Sequence, residues 1–185
     1  MNAIAFLVTT VFDLYIMVVL LRVWLQWSRA DFYNPFSQFV VKATQPVVAP
    51  LRRLIPPIGS LDLATVLFAY VLSTAKFLVL QLVLTKGAVA ISPEWLLIGL
   101  MALVKAAGSL VFWVMILRAI LSWVSQGRSP VEYVMHQLSE PVLAPIRRIL
   151  PSMGGIDLSV MVFLIGLNFL NIAIGEFIGP VWYQL

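Results

Sequence analysis

The sequence contains no cysteine and a single histidine, His136, among its 185 residues. Without cysteine the chain can form no disulfide, no thiolate metal site and no iron–sulfur cluster, and it has no thiol nucleophile. A single histidine leaves a haem or metal site without a second imidazole from the same chain. The sequence also has no phosphate-binding glycine loop, no HExxH motif and no serine nucleophile elbow. We therefore expect no enzymatic activity, no cofactor and no metal.

Charged residues are also scarce. They make up 11% of the chain, whereas 62% is hydrophobic, and the mean hydropathy is +1.01. Soluble domains are only about half apolar, so this composition indicates a membrane protein. Four stretches, near residues 3–27, 61–85, 95–124 and 156–178, reach the length of about 20 residues that a helix needs to cross a hydrocarbon core. We expect an all-α protein with four transmembrane helices.

The few basic residues are unevenly placed. Most of them fall in two connections, which follow the first and the third apolar stretch, whereas only Lys86 lies between the second and the third. By the positive-inside rule, both basic connections are expected in the cytoplasm and both termini outside. The net charge of +4 is thus a topology signal, with contact to anionic lipids as a second use. We expect no nucleic-acid partner.

One motif occurs twice, as PVVAPLRRLIPPIGSLDL from Pro46 and as PVLAPIRRILPSMGGIDL from Pro141. Equivalent residues in this segment differ by 95 positions, whereas Arg22 and Arg118 differ by 96, which implies a one-residue deletion in the second connection. The chain therefore consists of two repeats, 1–90 and 91–185, each built of a span, a basic connection and a span. Because each repeat has two spans, both enter the membrane from the same side and are parallel.

Each basic connection is expected to begin with a short amphipathic helix at the membrane interface, within segments 34–57 and 129–152. Asn34 and Ser129 suit N-caps, and each precedes a proline at the first helical position. We predict that Pro46 and Pro141 end these helices, because the residue before a proline avoids the helical conformation. Further turn positions follow in each motif: Pro50, Pro56 and Gly59, and Pro145, Pro151 and Gly154.

The motif carries charge at two places. Its arginine pairs, expected to face lipid headgroups or a partner, are Arg52 with Arg53 and Arg147 with Arg148. Asp62 and Asp157 stand at the starts of the second and fourth spans. We favour an N-cap for each aspartate over an ion-pair clamp to the preceding arginines, and both can hold together.

Away from the cytoplasmic ends of the spans lie four ionisable residues, at depths where a charge costs several kcal/mol unless it is paired or solvated. They are Asp13, Lys76, Lys105 and Glu176. At about 1.5 Å rise per residue, Asp13 and Lys76 lie at similar depth, and so do Lys105 and Glu176. We predict an Asp13–Lys76 pair and a Lys105–Glu176 pair with the signs exchanged. The alternative is that Lys105 and Glu176 extend to the outer headgroups.

Several segments of the sequence resemble the YggT family of bacterial inner-membrane proteins. They are RVWLQW, NPFSQFV and TQPVVAPLRRLIPPIGSLDL in the first repeat, with SWVSQGRSP and SEPVLAPIRRILPSMGGIDLS in the second. The resemblance covers essentially the whole chain as two tandem family domains. The family pattern falls on the prolines, arginine pairs, glycines and aspartates of the repeated motif. The resemblance implies a location in the bacterial inner membrane.

The resemblance also implies a function. Bacterial members of the family are connected with osmotic stress tolerance and with potassium or ion homeostasis, and related single-domain proteins with cell division and cytochrome assembly. We therefore expect a protein of potassium and sodium homeostasis, either transport- or channel-like or accessory. The alternative is a non-transporting scaffold that recruits partners at its basic cytoplasmic face. Expected partners are the bilayer, anionic lipids, and another membrane protein or a second copy of the chain.

Overall fold

The protein is represented by a computed structural model, which describes residues 2–87, 92–124, 129–150 and 158–185. These residues form seven α-helices: α1 (Ala3–Trp27), α2 (Pro35–Leu54), α3 (Leu63–Leu84), α4 (Glu94–Val124), α5 (Pro130–Ile149), α6 (Leu158–Ile178) and α7 (Pro180–Gln184). Helices α1, α3, α4 and α6 are long and apolar enough to cross a membrane. The predicted four-span, all-α membrane fold is confirmed.

Helices α2 and α5 lie between the two spans of their repeats and form one face of the protein, called here the basic face. Asn34 and Ser129 are their N-caps and accept hydrogen bonds from backbone N–H groups two residues on. The Asn34 side-chain amide also donates to the carbonyl of Pro130 over 2.8 Å, which joins the two connections directly. Because α1 and α4 both end at this face, the repeats run in parallel, as predicted.

The prediction that Pro46 and Pro141 end the interfacial helices is wrong, and so is the prediction that Pro50 and Pro145 are turn positions. Each proline lies inside a continuous helix of 20 residues, followed by a second internal proline, Pro50 or Pro145. The four prolines are exposed, and the two in each helix share one side because they are four residues apart. The backbone hydrogen bonds that they omit are lost on that side alone, where water or headgroups can solvate the free carbonyls.

Each of these helices ends two residues before a later proline. Ile55, which precedes Pro56, has φ −125° and ψ 96° and is extended. Leu150, which precedes Pro151, is likewise extended with ψ 137°. The rule that a residue before proline avoids the helical region therefore holds for the prolines that follow the helices, Pro56 and Pro151, and fails at Pro46 and Pro141.

The turn between α2 and α3 forms around Gly59, as the sequence predicts. Gly59 has φ +60°, a conformation open to glycine at little cost. The flanking Ile58 and Leu61 exchange two backbone hydrogen bonds of 3.0 Å across the turn. The corresponding residues of the second repeat, with Pro151, Gly154 and Asp157, lie outside the described residues.

The largest apolar cluster joins the two repeats beside the basic face. It includes Leu25 of α1, Val40 of α2, Leu110 of α4 and Leu138 of α5. Towards the other end of the protein α1, α3 and α4 pack closely, whereas α6 contacts α4, α5 and α7 and leaves most of its surface exposed. The fold therefore places a tight three-helix unit beside a loosely held fourth span.

Candidate functional site

Asp13 and Lys76 form an ion pair inside the membrane-spanning region. The Lys76 ammonium lies 2.9 Å from a carboxylate oxygen of Asp13. The lysine side chain is 5% exposed and that of Asp13 42% exposed, so the carboxylate is reachable from one side. The predicted pairing of the two residues is confirmed.

The ion pair borders a small cavity between α1, α3 and α4, called here the Asp13 cavity. Its volume is about 120 Å³. Its polar lining groups are those of Asp13, Ser73, Lys76, Lys105 and Ser109. Two lysine ammonium groups and the Asp13 carboxylate border this cavity, and Leu185 also contributes to its lining. The cavity combines charge with space for a few small solutes at a depth where lipid offers no solvation.

Lys105 does not pair with Glu176, so the second predicted ion pair is wrong. The Lys105 ammonium donates to the backbone carbonyl of Trp182, in the short helix α7. Glu176 is exposed, and no ion pair joins these two described residues. Helix α7 folds back to bring a carbonyl to Lys105, and equal depth on two helices does not make their side chains face each other. Lys105 is held inside the protein and does not extend to the headgroups.

A second polar cavity lies between α4, α6 and α7, called here the Asn171 cavity. Its volume is about 280 Å³, and its lining includes Lys105, Ser109, Asn168, Asn171 and Trp182. The indole N–H of Trp182 donates to the Asn171 side-chain oxygen over 2.9 Å. Ser109 and Lys105 border both cavities, so the two polar spaces are neighbours across α4.

The two cavities occupy equivalent places in the repeats. Asp13 plus 96 is Ser109, and Lys76 plus 95 is Asn171, which are the offsets of the sequence repeat. The ion pair of the first repeat is thus replaced by a serine and an asparagine in the second. Lys105 and Glu176 do not correspond to that pair, and this difference explains why the sequence prediction failed in the second repeat.

Two buried arginines hold the basic-face helices against the spans, and sequence reasoning used them only as signals of topology and of the repeat. Arg22 donates to the hydroxyl of Thr44 over 2.7 Å and to the side-chain oxygen of Gln45 over 2.8 Å. Arg118 donates to the hydroxyl of Ser139. Thr44 and Ser139 differ by 95 positions. The signal was therefore present as an arginine and a hydroxyl that recur together in both repeats.

Asp62 is both an N-cap and the partner of an arginine. Its carboxylate accepts from the backbone N–H of Thr65 over 3.3 Å and from Nε of Arg52 over 2.9 Å. Burial by itself raises the pKa of the Asp62 carboxyl, but the hydrogen bonds from Arg52 and Thr65 outweigh burial and hold that pKa below its ordinary value. Both interpretations of this aspartate hold together, whereas Arg53 is exposed.

Arg147 in the second repeat also binds a carboxylate, from its own helix. It contacts both oxygens of Glu140, over 3.0 and 2.9 Å. Both side chains are about a third exposed, at 33% and 39%. Arg148 is exposed like Arg53. Asp157, predicted as the second helix-start acid, lies outside the described residues.

A further open cavity of about 430 Å³ lies at the basic face, lined among others by Arg22, Gln26, Gln45 and Arg52. Arg52 also donates to the Gln26 side-chain oxygen over 2.6 Å. Within the described part of the chain, no group of three or more His, Asp or Glu side chains could hold a metal ion. The polar chemistry of this surface is therefore that of guanidinium and amide groups, which suit phosphate or carboxylate.

Comparison with known proteins gives a consistent match along the chain. The family model described as CCB3/YggT matches residues 1–83 and 97–178. A Vibrio alginolyticus protein described by its place in the proC 3′ region is 65% identical over the full length of both chains. The Escherichia coli K12 protein YggT is 53% identical over 95% of this chain and 91% of its own. An uncharacterized Haemophilus influenzae protein is 36% identical over 96% and 94%. No solved structure matches.

Proposed function

Because the chain belongs to the CCB3/YggT family, we propose that it is a bacterial inner-membrane protein of potassium and sodium homeostasis that contributes to osmotic stress tolerance. The observation that carries the proposal is the Asp13 cavity, in which an ion pair borders free space within the spans. Ionisable groups at such depth cost several kcal/mol and in general mark ion or proton pathways. No catalytic role is part of the proposal.

The half-exposed Asp13 carboxylate is the group that a monovalent cation would contact. Carboxylate oxygens are hard ligands that suit such ions. The Lys76 ammonium occupies the same carboxylate and would have to be displaced, and Lys105 adds a second positive charge to the wall. Lys76 therefore acts as an internal competitor that keeps the cavity closed to cations until it moves aside. This arrangement supports gated, low-level conduction or an accessory role in uptake.

The proposed orientation places the basic face in the cytoplasm and both termini in the periplasm. Its support is the concentration of exposed basic residues on the basic face, among them Arg29, Lys42, Arg53 and Arg148. Positive residues are retained on the cytoplasmic side during insertion. Cysteines introduced at Arg53 and at Thr85 should react with an impermeant thiol reagent from opposite sides of the membrane. Reaction of both from one side would contradict this topology.

The ion proposal is tested with purified protein in liposomes, by potassium and sodium efflux. Lys76→Met should raise the flux because the Asp13 carboxylate is then free for cations. The double variant Asp13→Asn with Lys76→Met should carry none, since the pair is removed as a unit and no carboxylate remains. Lys86→Met, which removes an exposed lysine outside the cavity, is the control for net charge. Equal flux in all four proteins, or none in any, would contradict a pathway through this cavity.

A second candidate function is a scaffold that holds anionic lipids or a membrane-protein partner at the basic face. It is favoured by the exposed Arg53 and Arg148 and by the open cavity beside Arg22 and Arg52. Juxtamembrane basic residues contribute about 1 kcal/mol each to binding at an anionic surface. Photocrosslinkers at Arg53 and Arg148 should trap one defined protein if the scaffold role is right. Labelling of lipid alone would support only the lipid contact.

A further inference from the structure

The groove between α4 and α6 is open and contains an unpaired polar group. The part of this groove away from α7 is called here the α4–α6 groove. It has a volume of about 480 Å³ and is lined by Phe112, Leu164, Asn168 and neighbouring apolar side chains. The Asn168 side chain is exposed and has no hydrogen-bond partner within the described residues. Helix α7 closes the other end of the groove at Lys105 and does not line this part. An amide facing lipid in a span favours a second helix that can bond to it.

In the first repeat the equivalent groove is filled. Helix α4 lies between α1 and α3, where Leu103 packs with Ala69 and Val19. At Gly99 a side-chain Cβ would collide with Thr74, so the helices approach closely. The Tyr70 hydroxyl donates to the Leu96 carbonyl over 3.0 Å and adds a polar contact between α3 and α4. The structure thus contains one complete example of a first span that occupies the groove of a preceding repeat.

The two grooves have corresponding linings. The α1 and α3 residues that line the Asp13 cavity are Asp13, Ile16, Met17, Ser73 and Lys76. Their equivalents, at offsets of 96 on α1 and 95 on α3, are Ser109, Phe112, Trp113, Asn168 and Asn171. Each of these lines the Asn171 cavity. The same groove is therefore built twice. A spanning helix, α4, lies in the first, whereas in the second the described residues provide only the short α7, at its Lys105 end.

The helix face that would fill the second groove is present in α1. Ala102, Lys105 and Ala106 of α4 line the first groove, and their equivalents at an offset of 96 are Phe6, Thr9 and Thr10 of α1. Phe6 is 59% exposed, and Thr10 is also exposed. Helix α1 thus presents, unoccupied, the face that α4 uses for docking. Within the described part of the chain, the α4–α6 groove therefore lacks a spanning helix, and the matching face of α1 is not packed in any groove of the same chain.

We propose that a second copy of this chain, inserted in the same direction, places its α1 in the α4–α6 groove. The contact repeats the α3–α4 packing, so that Leu7 of the second copy packs against Leu164, and Thr10 of the second copy lies beside Asn168. The threonine hydroxyl then gives the Asn168 amide a partner. Such a head-to-tail contact uses different surfaces on the two copies and generates a ring or an open row. The inference holds whether or not ions pass through the protein.

Cysteine crosslinking tests this geometry without removal of native cysteines, because the chain has none. Two differently tagged copies are co-expressed, one with Leu7→Cys and the other with Leu164→Cys, and membranes are oxidised. The matched control replaces Leu164→Cys by Val162→Cys, which is exposed and lies about 160° away around α6. Because a disulfide needs Cβ atoms within about 4.5 Å, the Leu164 pair should give roughly tenfold more heterodimer than the Val162 pair.

A second measurement follows the mass of the purified protein in nanodiscs. The wild type should be a multimer, and Asn168→Trp, which fills the α4–α6 groove, should be a monomer with unchanged helix content. Thr10→Leu should weaken the multimer less, because the apolar contacts remain. A monomeric wild type, equal crosslinking of the Leu164 and Val162 pairs, or crosslinking of Leu164→Cys only to a different protein would each overturn the proposal.

Discussion

In the first repeat α1 and α3 enclose an ion pair, whereas at the equivalent positions of α4 and α6 a serine and an asparagine border an open cavity. Asp13 and Lys76 are joined over 2.9 Å, and their counterparts Ser109 and Asn171 carry no charge. Without an ion pair between them, α4 and α6 are also packed less closely than α1 and α3. The duplication has therefore produced one closed and one open version of the same groove.

The basic face shows a second contrast between the repeats. Arg52 binds Asp62 at the start of the next span, so its ion pair closes the turn between α2 and α3. Arg147 binds Glu140 on its own helix α5. Asp62 is fully buried and Glu140 is 39% exposed. Within the described residues, Arg52 thus links α2 to the start of α3, whereas the contact seen for Arg147 is with a carboxylate of its own helix.

The largest loss of stability is expected for Asp62→Ala. The change leaves Arg52 without its carboxylate and the first turn of α3 without its cap. Asp62 is fully buried but Arg52 is a third exposed, so the loss should lie below the value of about 3–5 kcal/mol for a fully buried ion pair. Loss of the cap adds about 1 kcal/mol, and the protein should accumulate poorly. The measurement is the free energy of unfolding in detergent, followed by tryptophan fluorescence. A loss no greater than that of an exposed substitution such as Arg53→Ala would contradict the assigned role.

The same aspartate predicts an acid limit of stability. Its folded-state pKa lies below the ordinary value because of Arg52 and Thr65, so its stabilising effect is present above the unfolded pKa of about 4. That contribution is lost as the pH falls through the lower, folded pKa. Between pH 6 and pH 3 the free energy of unfolding should therefore fall more steeply with falling pH in the wild type than in Asp62→Ala. An equal pH dependence in the two proteins would contradict this role of Asp62.

The next effect concerns the Asp13–Lys76 pair. Asp13→Asn leaves a buried ammonium and should be more harmful than Lys76→Met, which leaves a half-exposed carboxylate. The double variant should recover much of the loss, with a coupling free energy of about 2 kcal/mol between the sites. A double-mutant cycle of unfolding free energies gives this value directly. Additive losses would mean that the two groups are stabilised separately.

The sequence was sufficient for features that depend on local rules. The length of each apolar stretch predicted the spans, and the caps at Asn34 and Ser129 predicted the starts of α2 and α5. The rule that proline ends a helix failed at Pro46, because the tertiary structure leaves that side of α2 exposed. A local rule predicts the conformation that a residue prefers. The tertiary surroundings determine the free-energy cost of departing from that conformation, and at Pro46 this cost is small.

The candidate site was predictable only in part. Equal depth was enough to pair Asp13 with Lys76, because α1 and α3 are adjacent within one repeat. Equal depth did not predict the partners of Lys105 and Glu176, because packing sets the rotation of each helix about its axis and so the direction of its side chains. In addition, α7 supplies Lys105 with a backbone carbonyl. Arg22 was interpreted from its charge and its place in the repeat, whereas its burial depends on how α2 folds back against α1.

A smaller effect is expected when the first ion pair is transferred to the second repeat. Asn171→Lys alone adds a second positive charge beside Lys105 in the Asn171 cavity and should destabilise the protein. Ser109→Asp alone buries a carboxylate that Lys105 compensates only in part, and it should destabilise the protein less. If the two cavities are equivalent, the double variant should be more stable than the sum of the single changes predicts, by about 1 kcal/mol. Ser109→Asp with Leu170→Lys, whose side chain is exposed and is not part of the cavity lining, is the control and should show no such recovery.

The smallest effect is expected for Glu140→Gln. Glu140 pairs with Arg147 over 2.9 Å and lies 4.0 Å from the buried Arg118 of α4. Its side chain is 39% exposed, and exposed pairs contribute about 0.2–1 kcal/mol. Glutamine, moreover, is what the first repeat has at the equivalent position, Gln45, where it accepts from Arg22 over 2.8 Å. Glu140→Gln should therefore cost less than 1 kcal/mol by the same rule, and part of that loss should disappear in high salt, since screening weakens the original pair. A loss as large as that of Asp62→Ala would show that α5 depends on its carboxylate as much as α3 does.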